Sequence, residues 1–310
     1  MTHNHRIVAA AVVVLIASGG VAQAQLSETL AWTAFVGNEY VVHPNITYLT
    51  ANNWDATLDV YRSRQTTANP TLIFMHGGGW MGATKEQYLL TLLPYFAMGW
   101  TVVNVEYRLG TVSLAPAAVE DCRCALRWVY AHAKEYSIDT AKIVVSGRSA
   151  GGHLALTTGM LPDSAGLDRQ CPGPENMNVA AVKVAAIINW CGITDVGDLL
   201  DGPNMKGYAV AWLGSQPNRE EIARRDSPLT YVRSGLPPVI TIHGDADQAV
   251  PYTHAVRLHQ ALSKAGVDNE LVTVPGGGHG GFSREEMLRI YGAIRAFLRK
   301  HGLISKPVEK

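Results

Sequence analysis

Beyond its first two dozen residues the sequence has no apolar run long enough to cross a bilayer. It has no excess charge of either sign: 26 Lys and Arg stand against 26 Asp and Glu, and no basic block stands out. That argues against nucleic acid as a partner. No spacing of its histidines and four cysteines matches a zinc site, so no metal and no cofactor is expected. Repeats and low-complexity segments are absent as well.

What the amino terminus does have is a pattern. Arg6 precedes an apolar run from Ile7 to Ala17, small residues follow, and Ala22-Gln23-Ala24 closes the stretch. This predicts a signal peptide over residues 1–24, cut after Ala24. A secreted or periplasmic mature chain, residues 25–310, with no stable membrane association would result. Roughly 285 residues suit one α/β domain with a full core. Export also permits a disulfide. Cys122 lies on the apolar helical face Ala118, Cys122, Ala125, Leu126, Val129, whereas Cys124 points away from it. Cys171 sits in a Pro/Gly-rich insertion after a helix that should neighbour the first. The expected pair is Cys124–Cys171, with Cys191 free and buried, although four cysteines permit three full pairings.

Strand-like runs cover 41–48, 56–62, 71–75, 101–105, 142–146, 184–190, 238–243 and 269–274, the first two close enough for a hairpin. From the third onward, helical stretches alternate with them at 84–98, 116–135, 151–161, 252–265 and 283–300. Alternation implies right-handed crossovers and a mostly parallel eight-stranded sheet flanked by helices. Ser283 and Glu286 read as a capping box for the last helix, with Met287, Ile290, Ile294, Phe297 and Leu298 on one face. Residues 196–227 break the alternation and read as a small helical cap insertion or a solvated excursion.

Two glycine-rich turns carry the chemistry. Gly147-Arg148-Ser149-Ala150-Gly151 follows an apolar strand and opens a helix, which is the pattern of a nucleophile elbow. The N–H of Ala150 would point where negative charge develops at Ser149. Upstream, His76-Gly77-Gly78-Gly79-Trp80 ends another strand, and the N–H groups of Gly77 and Gly78 complete a candidate oxyanion hole. A serine needs a base. His279, in Gly276-Gly277-Gly278-His279-Gly280-Gly281-Phe282, is on a loop after a late strand, with His243 as runner-up. For the carboxylate that orients the imidazole we select Asp247, ahead of Asp245 and Asp195. Trp80, Trp190, Tyr208 and Trp212 are candidate walls of a substrate pocket, with core packing as the alternative.

The order Ser149, Asp247, His279, with Glu106-Tyr107-Arg108-Leu109 and the motifs above, resembles the α/β-hydrolase superfamily. More closely, it is similar to the carboxylesterase group of hormone-sensitive-lipase-like and bacterial feruloyl and acetyl-xylan esterases. The resemblance implies Asp247 as the acid and structural roles for Tyr107 and Arg108. It implies two-step acyl transfer on small-molecule or polysaccharide-linked esters, acetyl or feruloyl. Arg148 departs from the family pattern; a cation beside the nucleophile could bias binding toward acidic substrates, but pairing with a nearby carboxylate is the expected explanation. A serine exopeptidase or amidase of the prolyl-oligopeptidase-like type, or a non-catalytic binding protein on this fold, are the rival readings. Oligomeric state is not legible.

Overall fold

Eight strands form one sheet in the order β1-β2-β4-β3-β5-β6-β7-β8. They are β1 Tyr40–Ala51, β2 Trp54–Ser63, β3 Asn69–Met75, β4 Thr101–Val105, β5 Ile138–Arg148, β6 Ala186–Trp190, β7 Val239–Gly244 and β8 Asn269–Val274. The computed structural model describes residues 30–64, 67–172 and 182–304, so the expected signal peptide over 1–24 lies outside the described residues. The chain divides into two compact units, Met1–Tyr40 and Val41–Lys310; in the first, residues 30–39 form helix α1. Everything below concerns the second unit.

The hairpin between β1 and β2 turns at Asn52 and Asn53, both at φ 55°. Two consecutive positive φ values define a turn whose twist matches that of paired strands, and asparagine tolerates them. β2 runs antiparallel to β4, and all pairings from β4 through β3, β5, β6 and β7 to β8 are parallel. Parallel central strands are covered on both faces, which is why Val102, Val103, Val144, Val145, Ile187, Ile188, Val239 and Ile240 are buried without alternation.

The helices are α2 Leu93–Ala97, α3 Ala117–Ala131, α4 Ala150–Met160, α5 Gly207–Leu213, α6 Arg219–Arg225, α7 Thr253–Lys264 and α8 Arg284–Lys300. The continuous helix expected over 84–98 is instead a 3₁₀ segment, Lys85–Leu92, followed by the short α2. Pro94 at the start of α2 explains the break: it has no N–H to continue a ladder from the preceding turn. In α8 the capping box is half formed. Ser283 Oγ accepts from Glu286 N at 3.2 Å, but the Glu286 carboxylate turns to Arg289. Residues 196–227 hold α5 and α6 between short 3₁₀ turns. Their Lys206 and Tyr208 donate to the carbonyls of Gln248 and Ala249, which lays the segment along the β7 loop.

Cys124 of α3 and Cys171 form a disulfide, and Cys122 and Cys191 are free and buried. A buried ion pair lies on the same helix. Arg108, just past β4, grips Asp121 of α3 with Nε at 3.0 Å and Nη2 at 2.5 Å, while its own N–H donates to Oδ2 at 2.7 Å. Tyr107 donates to His76 O at 2.9 Å, so the strip after β4 braces the β3 loop. Removing Asp121 leaves a buried guanidinium with only Glu120, at 3.6 Å, as a counter-ion. Asp121→Ala is expected to lose about 3–5 kcal/mol of stability, read from urea unfolding with the native disulfide intact; a loss under about 1 kcal/mol would contradict this account.

Candidate active site

Because the five strands from β3 to β8 across the sheet are parallel, their carboxyl ends lie along one edge: Met75 pairs Gly147, Arg148 pairs Trp190, and Gly244 pairs Val274. Ligand sites of open α/β sheets form outside such an edge. The turn after β5 holds Ser149 at φ 58° and ψ −122°, a strained conformation for a residue with a side chain. Glycine is required on either side. A Cβ on Gly147 would lie 2.2 Å from Gly151 O, and one on Gly151 would lie 2.1 Å from Met75 O. The turn is fixed by Ser149 N–H donating to Trp190 O at 2.8 Å.

The loop after β3 is braced from beneath. His76 is fully buried, stacks on Tyr107 with centroids 4.3 Å apart, and faces Glu106 Oε1 at 3.0 Å. Gly78 has φ +108°, and a Cβ there would meet Gly82 O at 2.0 Å. Among the described residues, the N–H groups of Gly77, Gly78 and Ala150 donate to no backbone carbonyl outside regular elements. Unpaired N–H groups at a helix start and a tight loop form an anion site.

Asp247, after β7, is held by four partners. Oδ1 accepts from Ala249 N at 2.8 Å and Val250 N at 3.0 Å. Oδ2 accepts from His279 Nδ1 at 2.7 Å and lies 3.1 Å from His243 Nε2. Burial opposes the charge, but the two imidazoles and the Val250 N–H outweigh it and hold the carboxyl well below the usual range. His243, the runner-up base, is fully buried against Asp247. Asp245 instead accepts from Gly276 N at 2.6 Å and ties the β7 loop to the β8 loop, while Asp195 pairs with Arg257 at 2.6 Å.

His279, after β8, is partly exposed. Burial lowers its pKa, but the hydrogen bond to Asp247 and the neighbouring Cys191 raise it, to about 9. Arg148 Nη2 donates to the His279 carbonyl at 2.6 Å. The residue before Ser149 therefore holds the backbone of His279. The expected carboxylate partner of Arg148 is corrected: a carbonyl takes its place. No hydrogen bond joins Ser149 Oγ to His279 in this structure.

Of the four candidate pocket walls, two are displaced inward. Trp80 and Trp212 are 0% exposed and stacked on each other at 4.2 Å. Trp80 Nε1 donates to His153 Nδ1 at 3.2 Å, and His153 Nε2–H donates to Asp226 O at 2.6 Å. Burial lowers the His153 pKa to about 4, so the ring is neutral. These two tryptophans are core and not pocket wall: they stack face to face, and Trp212 Nε1 is buried without a hydrogen-bond partner. Tyr208 packs against Gly79. Trp190 lines an aromatic pocket with Phe74, Tyr88, Tyr95, Phe282 and Tyr291, into whose wall Arg148 and Gly280 are also built.

Cys191 was not singled out by its sequence context as anything but a buried thiol. Its donor atom lies within 4.8 Å of those of Asp247 and His279. His243 carried one legible signal, its place four residues before Asp247 in the same strand-end loop. The role of Arg148 carried none, because its partner is a backbone carbonyl 131 residues away. A folded pKa raised above the unfolded value gives stability that is present below about 6.5 and lost as pH rises through the folded value. We expect His279 to titrate near 9 by NMR, and Asp247→Asn to bring that midpoint down; an unmoved midpoint would show that Asp247 does not hold the imidazolium.

The BD-FAE family model matches residues 58–262 of the chain. Among curated relatives, "Probable carboxylic ester hydrolase LipM" of Mycobacterium tuberculosis is 31% identical over 206 residues, 64% of this chain and 46% of that protein. "Esterase LipC" of the same organism is 29% identical over 234 residues, 72% of this chain and 56% of that one. The chain thus spans about half the length of these curated relatives. The solved Est2 esterase of Thermogutta terrifontis superposes with a TM-score of 0.71 at 28% identity, covering 87% of this chain and 95% of that one. With a model matched over residues 58–262, which hold most of the sheet, the chain belongs to the BD-FAE family and has the α/β-hydrolase fold.

Proposed function

We propose that the chain is a carboxylic-ester hydrolase that works through a Ser149, His279, Asp247 triad and a covalent acyl-enzyme. The observation that carries the reading is the Asp247–His279 bond of 2.7 Å, held beside the strained Ser149 by Arg148. Ser149 Oγ attacks the ester carbonyl, and His279 Nε2 takes its proton. That hydrogen bond closes as substrate binds, as catalytic contacts often tighten only in the complex. The N–H groups of Gly77, Gly78 and Ala150 face the oxyanion. His279 then protonates the leaving alcohol, and water repeats the sequence to free the acid.

Small or carbohydrate-linked esters, acetyl or feruloyl, are the substrates we propose. The aromatic pocket beside Trp190 is the place for the acyl group. Est2 has been solved with butyrate bound and phosphonylated by sarin, and both fit a serine esterase of short acids if carried over to this chain. Export after removal of residues 1–24 is likewise proposed, and the Cys124–Cys171 disulfide suits an oxidising compartment.

Ser149→Ala is expected to cut turnover of p-nitrophenyl acetate by several orders of magnitude, with a residue of roughly 10³–10⁴ over water from positioning and the oxyanion site. Wild-type rates in that variant would reject the mechanism, and faster cleavage of a matched anilide than of the ester would favour an amidase. Because His279 must be neutral to act as base, kcat/KM should climb with pH through about 9. A profile already flat above pH 7 would show that the free imidazole is not held charged.

A further inference from the structure

The buried arginines of this chain are neutralised. Arg108 pairs with Asp121, and Arg123 pairs with Asp163 and Asp168. Arg148 differs. It is half-buried, yet among the described residues no carboxylate lies within ion-pair distance of it, and its one hydrogen bond is to the His279 carbonyl. A guanidinium has five N–H donors in a planar fork suited to a carboxylate.

The place where this charge stands is specific. Arg148 and Gly280 line the aromatic pocket, and it is the guanidinium end of Arg148 that lies against Gly280: a Cβ there would fall within 1.4 Å of Nη2. The pocket wall also carries the hydroxyls of Tyr88, Thr91, Tyr95 and Tyr291 and, among the described residues, no carboxylate. Tyr95 Oη is buried and without a hydrogen-bond partner. Three of the residues lining the pocket adjoin the candidate site. Arg148 precedes Ser149, Trp190 O accepts the Ser149 N–H, and Gly280 follows His279. With the acyl chain of a Ser149 ester in this pocket, as proposed above, the chain lies beside an uncompensated cation.

We propose that Arg148 is the specificity-determining residue of the acyl pocket, selecting acids that carry a second, distal carboxylate over neutral acids of the same length. Half-esters of short dicarboxylic acids are the substrate class. The inference rests on the esterase reading above and ranks its substrates. The substrate supplies the counter-ion the fold withholds, in a largely apolar site where a charge-assisted bond is stronger than in water. The same guanidinium holds the His279 loop, so filling the pocket also steadies the base.

The test compares three ethyl esters by pH-stat: monoethyl succinate, its neutral isostere ethyl succinamate, and ethyl butyrate. In the wild-type chain kcat/KM for monoethyl succinate should exceed that for the other two by about tenfold or more, and the margin should shrink with added salt. Arg148→Gln should abolish or invert the ratio, and Arg148→Lys should keep part of it. A ratio within one variant cancels any general loss from a loosened His279 loop. If Arg148→Gln does not fold, wild-type inhibition decides: succinate should compete with ethyl butyrate, and the neutral diamide succinamide should not. Wild-type turnover of ethyl butyrate with no preference for the carboxylate, or a preference that survives in Arg148→Gln, would overturn the inference and leave the esterase reading standing. Failure to hydrolyse any of the three would overturn the esterase reading, and this inference with it.

Discussion

Between Gly147 and Gly151 there is no room for a Cβ, and the rest of the site depends on that closeness. The backbone of α4, Ala150–Met160, starts against the carboxyl end of β3, with Met75 O only 2.1 Å from where a Gly151 Cβ would be. Because helix and strand touch, Ser149 is forced to φ 58° and its side chain is pushed off the sheet edge. The same contact brings the first N–H groups of the helix alongside those of the β3 loop. A looser turn would relieve the strain and move Ser149 away from those N–H groups.

Around that turn the chain invests in polar contacts that leave little slack. Asp247 is satisfied on both oxygens, by two backbone N–H groups and two imidazoles. A fully satisfied carboxylate stays ionised in a buried position and cannot drift. His279 is held at both ends, by Asp247 on its ring and by Arg148 on its carbonyl. Asp245 adds a tie between the two loops that carry the pair. These contacts join three strand ends distant in sequence, and the parallel sheet makes that possible by ending all of them on one side.

Much of this was readable before folding is considered. The runs at 101–105 and 269–274 coincide with strands: the first is buried throughout, as suits a strand covered on both faces, and the second alternates, as suits the edge of the sheet. Ser149, Asp247 and His279 each sit in a glycine-rich turn after such a run, and local chemistry marks them. The 84–98 stretch was legible only as apolar and helical in period, and Pro94 decided otherwise. Trp80 and Trp212 looked like pocket walls because aromatic residues near motifs often line sites. Their stacking on each other, 132 positions apart, is a pairing that no local pattern encodes.

The sequence by itself determined the order of strands and helices along the chain, the placing of glycines where backbone must meet backbone, and the position of Ser149, Asp247 and His279 in turns after strands. Those follow from local sterics and from the period of apolar residues, which act over a few positions. Only the tertiary structure decided which groups surround them. Arg148 faces a carbonyl and not a carboxylate, His243 lies against Asp247, and Cys191 lies beside His279. Such neighbours are set by how parallel strands stack side by side, and a contact across 131 residues leaves no trace in the spacing of either partner.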